Sequence, residues 1–220
     1  MFNVDRTEVD IPASLKERKK YDEEDVYNAL KTIFFDKCYL CETKNPLSVN
    51  IEHLDAHQGD QDKKFNWNNL YYVCGRCNNV KLAKYNNILD CCDEHTDVFR
   101  AIKLCVPTTP KAKHIDIQAM NADPKTIRTT ELLEEIFNNN NTINKQITAA
   151  YLRELVFKRY NDLLTQLNRY YGQDSSDEEK QDSLKKMKEI IKRDKPYSAF
   201  IRWCILDDEE LGPELEPLMD

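Results

Sequence analysis

Long apolar runs and a surplus of positive charge are both missing from this 220-residue sequence. No segment approaches the roughly 18–20 consecutive apolar residues of a membrane-spanning helix. The N-terminal segment, Met1 to Arg6, also lacks the basic region and the apolar stretch of a secretory signal. These absences argue against a membrane protein and against a secreted one, so the expected location is the cytoplasm.

The charge balance of the chain is acidic. It has 32 Lys and Arg residues against 39 Asp and Glu residues, which gives a formal net charge of −7. Sequence-independent affinity for nucleic acid comes mainly from Lys and Arg contacts to phosphate. The balance therefore argues against an unaided polybasic nucleic-acid binder. With 40% apolar and 32% charged residues, the chain can form a packed core and a solvated surface, in one domain or two small ones.

Half of the eight cysteines form two Cys-x-x-Cys pairs, Cys38/Cys41 and Cys74/Cys77. A disulfide framework suits short secreted chains, whereas two such pairs supply the four thiolates of a tetrahedral zinc site. Residues 42–73 separate the pairs, more than the roughly 15–20 residues of a compact zinc ribbon, so the site must enclose an inserted substructure. The cysteines alone leave a purely structural ribbon open. The other four lack paired spacing and are expected to be small buried apolar residues: Cys91, Cys92, Cys105 and Cys204.

The pattern around these pairs predicts a helix, two strands and a second helix. Residues 22–35 carry apolar side chains at helical spacing, and residues 47–51 and 70–73 are short apolar, β-branched or aromatic runs typical of strands. We expect a polar loop at residues 58–69 between the strands and a helix at residues 78–85 after them. Strand, loop, strand and helix with zinc at the base form a ββα-metal arrangement.

The C-terminal part is predicted to be mainly helical, so the fold class is α+β. Pro107 and Pro110 begin a loop-rich connector. We expect one region at residues 1–106, which holds the zinc unit and the helix before it, and a helical region at residues 107–220. The other expected elements are helices at 147–171, 183–193 and 197–206, loops at 111–123, 138–141 and 173–182, and an exposed acidic tail at 207–216.

Three short motifs inside and just after the zinc frame resemble the HNH endonuclease family. They are the acid–histidine pair Glu52-His53, the dipeptide Asn69-Leu70, and the run from Cys77 through Asn78 to Lys81. Together they cover roughly residues 38–85. The chain departs from the commonest family pattern in having Asn78 where the last His usually stands and Glu52 where Asp is frequent. Related variants with this Asn remain active, so the departure concerns metal affinity more than the assignment.

This resemblance implies a catalytic site for phosphodiester hydrolysis. His53 would be the general base that takes a proton from water, and Asn69 would orient its imidazole through a hydrogen bond. Glu52 and Asn78 would supply oxygen ligands to a catalytic Mg²⁺ or Mn²⁺, beside the structural zinc. The candidates for contacts to the substrate and its flanking phosphates are Lys81, Lys84, Arg76 and His57.

Several alternatives remain open at the level of single residues. His53 and His57 are four residues apart and could form a helical zinc pair, although the β-branched run before them favours strand and loop. Asn66 and Asn68 compete with Asn69 for the central role, and Asn69 is preferred because it directly precedes Leu70. The lysines are as compatible with a solvated face as with phosphate contacts. A catalytically inactive, zinc-stabilised adaptor is the competing function.

A looser resemblance concerns the whole chain. Residues 12–15, 37–42 and 51–53, together with the helical C-terminal region, are similar to PtuB, the HNH subunit family of bacterial Septu and retron-linked anti-phage systems. In that family the nuclease works beside an ATPase subunit, PtuA, and cuts nucleic acid. The resemblance implies an ATPase partner of PtuA type and a nucleic-acid substrate, with DNA favoured over RNA, and no membrane partner. The helix at 147–171 and the acidic tail would be docking surfaces, or else a cap packed on the core.

Overall fold

Two small antiparallel sheets lie among ten α-helices in the part of the chain that the computed structural model describes, residues 1–140 and 147–219. The fold is α+β, as the sequence predicts. Within these ranges no helix is long and apolar enough to cross a membrane. The helices are α1 (Ala13–Lys16), α2 (Glu24–Ile33), α3 (Gln61–Phe65), α4 (Gly75–Lys81), α5 (Val98–Ala101), α6 (Pro124–Asn138), α7 (Ala149–Tyr170), α8 (Asp177–Ile190), α9 (Ser198–Leu206) and α10 (Leu211–Leu215). The strands are β1 (Val49–His53), β2 (Leu70–Cys74), β3 (Ile102–Leu104) and β4 (Ile117–Ala119).

The sheet of β1 and β2 continues directly into α4. The strands run antiparallel with His53 opposite Leu70, and all of β2 is buried. The Cys74 sulfur caps α4 by accepting a hydrogen bond from the backbone N–H of Cys77. The strand, loop, strand and helix order expected from the sequence is therefore present. The first strand begins at Val49 and ends at His53, two residues later at each end than predicted, so His53 belongs to the sheet. Leu47, the first residue of the predicted strand, is 83% exposed.

The helices on either side of this sheet differ from prediction only at their ends. The helix α2 lies inside the predicted range 22–35 and buries Val26, Leu30 and Ile33. The helix α4 begins three residues before the predicted range 78–85 and gives way to a 3₁₀ turn after Lys81. Apolar spacing therefore located both helices, and capping set their limits.

The segment between β1 and β2 is partly helical, where the sequence predicts a loop at residues 58–69. The Asp60 side chain caps α3 by accepting hydrogen bonds from the backbone N–H groups of Asp62 and Lys63, and a 3₁₀ turn covers Trp67–Asn69. A five-residue helix has too few apolar positions to show a period. The predicted loop is therefore wrong over this segment, and only the Asp cap could have indicated the helix.

The second sheet was not predicted. The strands β3 and β4 pair with Lys103 opposite Gln118, and β4 lies in the segment 111–123 that the sequence assigns to a connector. Three-residue strands show no alternation that a sequence pattern can detect. The predicted division between residues 106 and 107 falls inside this hairpin.

Among the C-terminal helices, α8 begins earlier than predicted and α6 was not predicted. The helix α6 was missed, although Asp123 caps it and Pro124 occupies its first turn. The helix α8 begins six residues before the predicted range 183–193 because Ser176 and Glu179 form a capping box. The predicted loop at 173–182 is thus wrong over its second half. The helices α7 and α9 match their predicted ranges closely.

The acidic tail packs on the molecule instead of extending from it. The helix α10 buries Leu211 and Leu215, and Met219 after it is 3% exposed. Its acidic side chains lie outward, and Glu214 pairs with Lys188 of α8 at 3.0 Å. The prediction of an exposed tail was wrong because three widely spaced apolar residues supply the buried face.

One hydrophobic core joins the two halves of the chain. A buried group of charges crosses between them as well. The Glu42 carboxylate, directly after Cys41, lies 3.2 Å from the Lys37 ammonium and 3.3 Å from the Met1 amino group, and it accepts a hydrogen bond from the Ser198 hydroxyl at the start of α9. The segment that holds the first Cys-x-x-Cys pair is therefore fixed against the C-terminal helices.

Candidate functional site

The four paired cysteines come together as the sequence predicts. Cys38, Cys41, Cys74 and Cys77 are buried, and their sulfur atoms all lie within 4.8 Å of one another, forming a four-cysteine cluster. The sulfurs of Cys41 and Cys74 are 3.7 Å apart. A tetrahedral zinc site with Zn–S bonds of about 2.3 Å has sulfur atoms about 3.8 Å apart. The four-cysteine cluster therefore fits a structural zinc ion with four thiolate ligands.

His53 lies at the end of β1, half-buried among aromatic rings. Its ring centroid is 4.8 Å from that of Tyr21 and 4.6 Å from that of His57. Its Nε2 lies 3.0 Å from the backbone carbonyl oxygen of Lys64 in α3. A carbonyl can only accept, so Nε2 carries the ring hydrogen and Nδ1 keeps its lone pair. Burial lowers the pKa of His53, which favours the neutral imidazole at pH 7.

Over the described residues no hydrogen bond joins Asn69 to the His53 ring, which corrects the expectation that it orients the imidazole directly. Its Nδ2 donates to the carbonyl oxygens of Asp55 at 2.9 Å and Lys63 at 3.0 Å. Its Oδ1 accepts a hydrogen bond from the backbone N–H of Asp55 at 2.8 Å. Asn69 therefore fixes the segment between the strands, and through Lys63 it positions the neighbouring carbonyl of Lys64 against His53.

Glu52 points away from His53 because successive side chains of a strand alternate between faces. Its carboxylate is 6% exposed, accepts a short hydrogen bond from the Tyr39 hydroxyl and lies 3.5 Å from the Lys81 ammonium. Burial raises the pKa of Glu52 to about 7, against the opposing effects of Lys81 and Tyr39. A carboxylate already paired with an ammonium group does not fit a divalent ion in this arrangement. The expectation that Glu52 binds Mg²⁺ or Mn²⁺ is therefore corrected for the arrangement seen here, in which Lys81 holds the carboxylate.

Lys81 and Arg76 are buried, so neither is placed to hold a phosphate at the surface. The Lys81 ammonium donates to the carbonyl oxygens of His53 and Leu54, both at 3.0 Å. The fully buried Arg76 guanidinium donates to the carbonyl oxygens of Ile136, Asn139 and Ile147. These two side chains fix α4 to β1 and to the C-terminal helices, which corrects their expected contact with substrate.

The other predicted residues lie nearer to the surface. Asn78 is half-buried on α4, one turn before Lys81, on the helix face that meets β1. The Lys84 side chain is 58% exposed, with its ammonium 2.7 Å from the Glu135 carboxylate. His57 is half-buried, and its Nδ1 accepts a hydrogen bond from the Gly59 backbone N–H at 3.2 Å. His57 therefore lies beside His53, Asn78 lies on the helix that carries Lys81, and Lys84 is already paired.

Two residues that surround the candidate base and acid were missed from the sequence. Tyr21 lies before α2 and covers the His53 ring, and Tyr39 lies inside the first Cys-x-x-Cys pair and binds Glu52. Tyr39 could have been noticed because its position inside a metal-binding pair fixes it near the site. Tyr21 reaches His53 only through the tertiary fold.

Comparisons with known proteins give no relative from which a function could be assigned. Neither the scan against protein-family models nor the searches of curated proteins and of solved structures found a match.

Proposed function

We propose that this chain is a metal-dependent HNH-type endonuclease that hydrolyses phosphodiester bonds in nucleic acid. The observation that carries the proposal is the His53 imidazole, which has one ring nitrogen bound to a backbone carbonyl while the other forms no hydrogen bond within residues 1–140 and 147–219. It lies in a ββα unit whose helix begins at the four-cysteine cluster. This is the placement that the HNH resemblance implies for a general base.

The chemistry assigned to the chain's own residues is a single proton transfer. His53 keeps its hydrogen on Nε2 against the Lys64 carbonyl and accepts a proton from the attacking water at Nδ1. The lowered pKa of His53 keeps the base form populated at neutral pH. Asn69 preserves the required ring orientation through its hydrogen bond to Lys63. Zinc at the four-cysteine cluster supplies folding free energy to the same unit.

The proposal also includes a second metal ion, which would bind near the scissile phosphate. Asn78 and Glu52 carry hard oxygen donors of the kind that suits Mg²⁺ or Mn²⁺, but the Glu52 carboxylate would have to leave Lys81 in order to bind such an ion. The Lys81 ammonium competes for the Glu52 carboxylate at 3.5 Å. Dependence of cutting on added Mg²⁺ or Mn²⁺ is therefore the quantity to measure.

The direct experiment is a nicking assay on plasmid DNA and on RNA with the zinc-loaded chain. We expect cutting in the presence of Mg²⁺ or Mn²⁺, and a loss of at least about a hundredfold in His53→Ala, since a positioned general base contributes about 10²–10⁴ in rate. His114→Ala is the matched control, because His114 is 60% exposed and lies outside the ββα unit. Equal cutting by His53→Ala and wild type would remove His53 from the mechanism.

The expected partner and biological role follow from the looser resemblance alone. We propose that the nuclease acts in a bacterial anti-phage complex with an ATPase subunit of PtuA type, in the cytoplasm. The acidic net charge of −7 supports dependence on a partner for substrate capture. Co-purification from the native host, followed by the nicking assay with and without the recovered partner, tests this role.

A second candidate function is a zinc-stabilised adaptor without catalysis. The observation that favours it is the buried Glu52, whose carboxylate is bound by Tyr39 and Lys81 on the face of β1 opposite His53. The two functions differ in the nicking assay. A zinc-loaded, folded chain that cuts neither DNA nor RNA, with or without the co-purified partner and with either ion, would favour the adaptor.

A further inference from the structure

An open cavity of about 650 Å³ lies away from the zinc cluster and is not used by the proposed nuclease function. It is formed between the N-terminal segment and the segment that follows α4. Arg6, Cys91 and Cys92 all line it. The two cysteines belong to a separate group of potential ligands, in which a carboxylate oxygen of Asp90 and both sulfurs lie within 4.8 Å of one another.

The two neighbouring thiols of this group differ in access. Cys91 is 1% exposed, whereas Cys92 is half-buried on the wall of the cavity. The sulfur atoms of the two cysteines lie within 4.8 Å of each other. The sulfur that a reagent in the cavity can reach is that of Cys92, and the enclosed sulfur is that of Cys91.

The Arg6 guanidinium lines the same cavity as Cys92, as does Arg193. The donor groups of Arg6 reach the backbone carbonyl oxygens of Trp67 at 3.1 Å and Leu70 at 2.7 Å, and its Nε has no hydrogen-bond partner within residues 1–140 and 147–219. Over the same ranges it forms no ion pair with a carboxylate, and its cation lies 4.7 Å from the centroid of the Tyr71 ring. A largely enclosed cation without a carboxylate partner favours an anion beside it.

The opposing charge nearest to the two sulfurs is the Asp90 carboxylate, and the lining of the cavity also includes Asp5, Asp93 and Glu94. The Asp90 carboxylate accepts a short hydrogen bond from the Tyr71 hydroxyl and a second one from the Cys92 backbone N–H at 2.7 Å. These bonds compensate part of its charge. The adjacent Cys91 thiol and the charge of Arg6 lower the pKa of Cys92, outweighing burial and Asp90. Burial raises the pKa of Cys91.

We propose that Cys92 is a modification site whose thiolate reacts with hydrogen peroxide, and that Cys91 resolves the product into a Cys91–Cys92 disulfide. In the first step the Cys92 sulfur attacks the peroxide, the O–O bond breaks, an S–O bond forms, and hydroxide leaves. Sulfur is oxidised by two electrons and the peroxide is reduced. In the second step the Cys91 sulfur attacks the sulfenic sulfur, its thiol proton goes to the departing oxygen, and water leaves as the S–S bond forms.

The partial exposure of Cys92 and the neighbouring Cys91 thiol are features of reactive thiols in general, and Arg6 supplies a positive charge in a cavity that carboxylates also line. Such cysteines are partly exposed, lie in a positive environment and often have a resolving thiol beside them. Cys105 offers a comparison within the same chain, because it is also half-buried while burial raises its pKa. A disulfide between adjacent residues is strained, since their α-carbons are only about 3.8 Å apart, so mild thiols should reduce it readily.

The test treats the zinc-loaded full chain with limiting hydrogen peroxide at pH 7 and measures each cysteine by peptide mass spectrometry. We expect wild type to lose two hydrogen atoms from the peptide that contains Cys91 and Cys92, reversibly with dithiothreitol. Cys91→Ser should instead accumulate a sulfenic acid at Cys92, trapped by dimedone. Cys92 should be oxidised at least about tenfold faster than Cys105, because an ordinary thiol is only a few per cent ionised at pH 7.

Two outcomes would overturn the proposal. One is oxidation of Cys92 in wild type no faster than that of Cys105, and the other is a folded Cys91→Ser variant that gives no dimedone adduct at Cys92. Arg6→Gln should slow the oxidation of Cys92 and leave Cys105 unchanged. If Arg6→Gln does not fold, the comparison of Cys92 with Cys105 in wild type decides the matter alone. None of these results depends on nuclease activity.

Discussion

At the scale of single residues, Glu52 and His53 are adjacent in the chain but have different surroundings. Strand alternation sends the Glu52 carboxylate inward to Tyr39 and Lys81 and the His53 ring outward to Tyr21 and His57. The acid–histidine pair could be identified from the sequence. Its partners could not, because they come from segments that only the fold brings together. The available Nδ1 of His53 remains the strongest indication of chemistry.

The first residue-scale prediction concerns Asn69. Asn69→Ala should lower the free energy of unfolding by roughly 2–3 kcal/mol, since it removes three hydrogen bonds between a buried side chain and partly buried backbone groups. It should also reduce nicking, because the Lys64 carbonyl loses its support. Urea denaturation and the plasmid assay measure the two effects. Asn68→Ala is the control, since Asn68 is exposed, and equal stability of the two variants would contradict the assigned role.

The second residue-scale prediction concerns the pH dependence contributed by Glu52. Its folded-state pKa of about 7 lies above the ordinary value of 4.5, so the native state binds the proton more tightly. The resulting stability is fully present below about pH 4.5 and is lost as pH rises toward 7. Between pH 5 and 8, wild type should therefore lose roughly 2 kcal/mol more unfolding free energy than Glu52→Gln. Urea denaturation at the two pH values measures this loss, and an equal loss of unfolding free energy in wild type and in Glu52→Gln would contradict the prediction.

At the scale of elements, the sequence located those with a sustained apolar pattern and missed the short ones, together with the longer helix α6. The helices α2, α7 and α9 and the strand β2 follow from apolar spacing. The strands β3 and β4 and the helix α3 are too short to show a period, and α8 is set by its capping box. Of the candidate site, the four-cysteine cluster was predictable because its spacing alone specifies a metal geometry.

The prediction at the scale of elements concerns Cys74, because this residue takes part both in metal binding and in helix formation. It is both a member of the four-cysteine cluster and the cap of α4. Removing zinc with a chelator, or making Cys74→Ser, should therefore unfold β1, β2 and α4 together. Zinc content and far-ultraviolet circular dichroism are the measurements. Cys204→Ser should retain about one zinc ion per chain, and retention of zinc and of the native melting temperature by Cys74→Ser would oppose the assignment.

At the scale of the whole molecule, buried polar groups join the two halves of the chain. Arg76 reaches the carbonyl oxygens of Ile136 and Ile147, and Glu42 reaches the start of α9 at Ser198. Such contacts span long sequence separations and have no local signature. They explain why Arg76 was assigned to phosphate binding from the sequence, when the structure places it in the interior.

This connection predicts a single cooperative unfolding transition. Arg76→Met should lower the unfolding free energy by roughly 2–4 kcal/mol, since it leaves buried carbonyl groups without their donor, whereas Arg18→Met, at a 56% exposed side chain, should change it little. Near- and far-ultraviolet circular dichroism should report the same midpoint for wild type. Two separate transitions, assigned by proteolysis to residues 1–106 and 107–220, would support independent domains instead.

The most direct test of the proposed function is chemical rescue at His53. The variant His53→Gly removes the imidazole from a half-buried position between Tyr21 and His57 and leaves space for a small molecule. If His53 is the general base, plasmid nicking should fall by at least about a hundredfold and return in part when imidazole is added. Nicking by His53→Gly at the wild-type rate, without imidazole, would contradict the account.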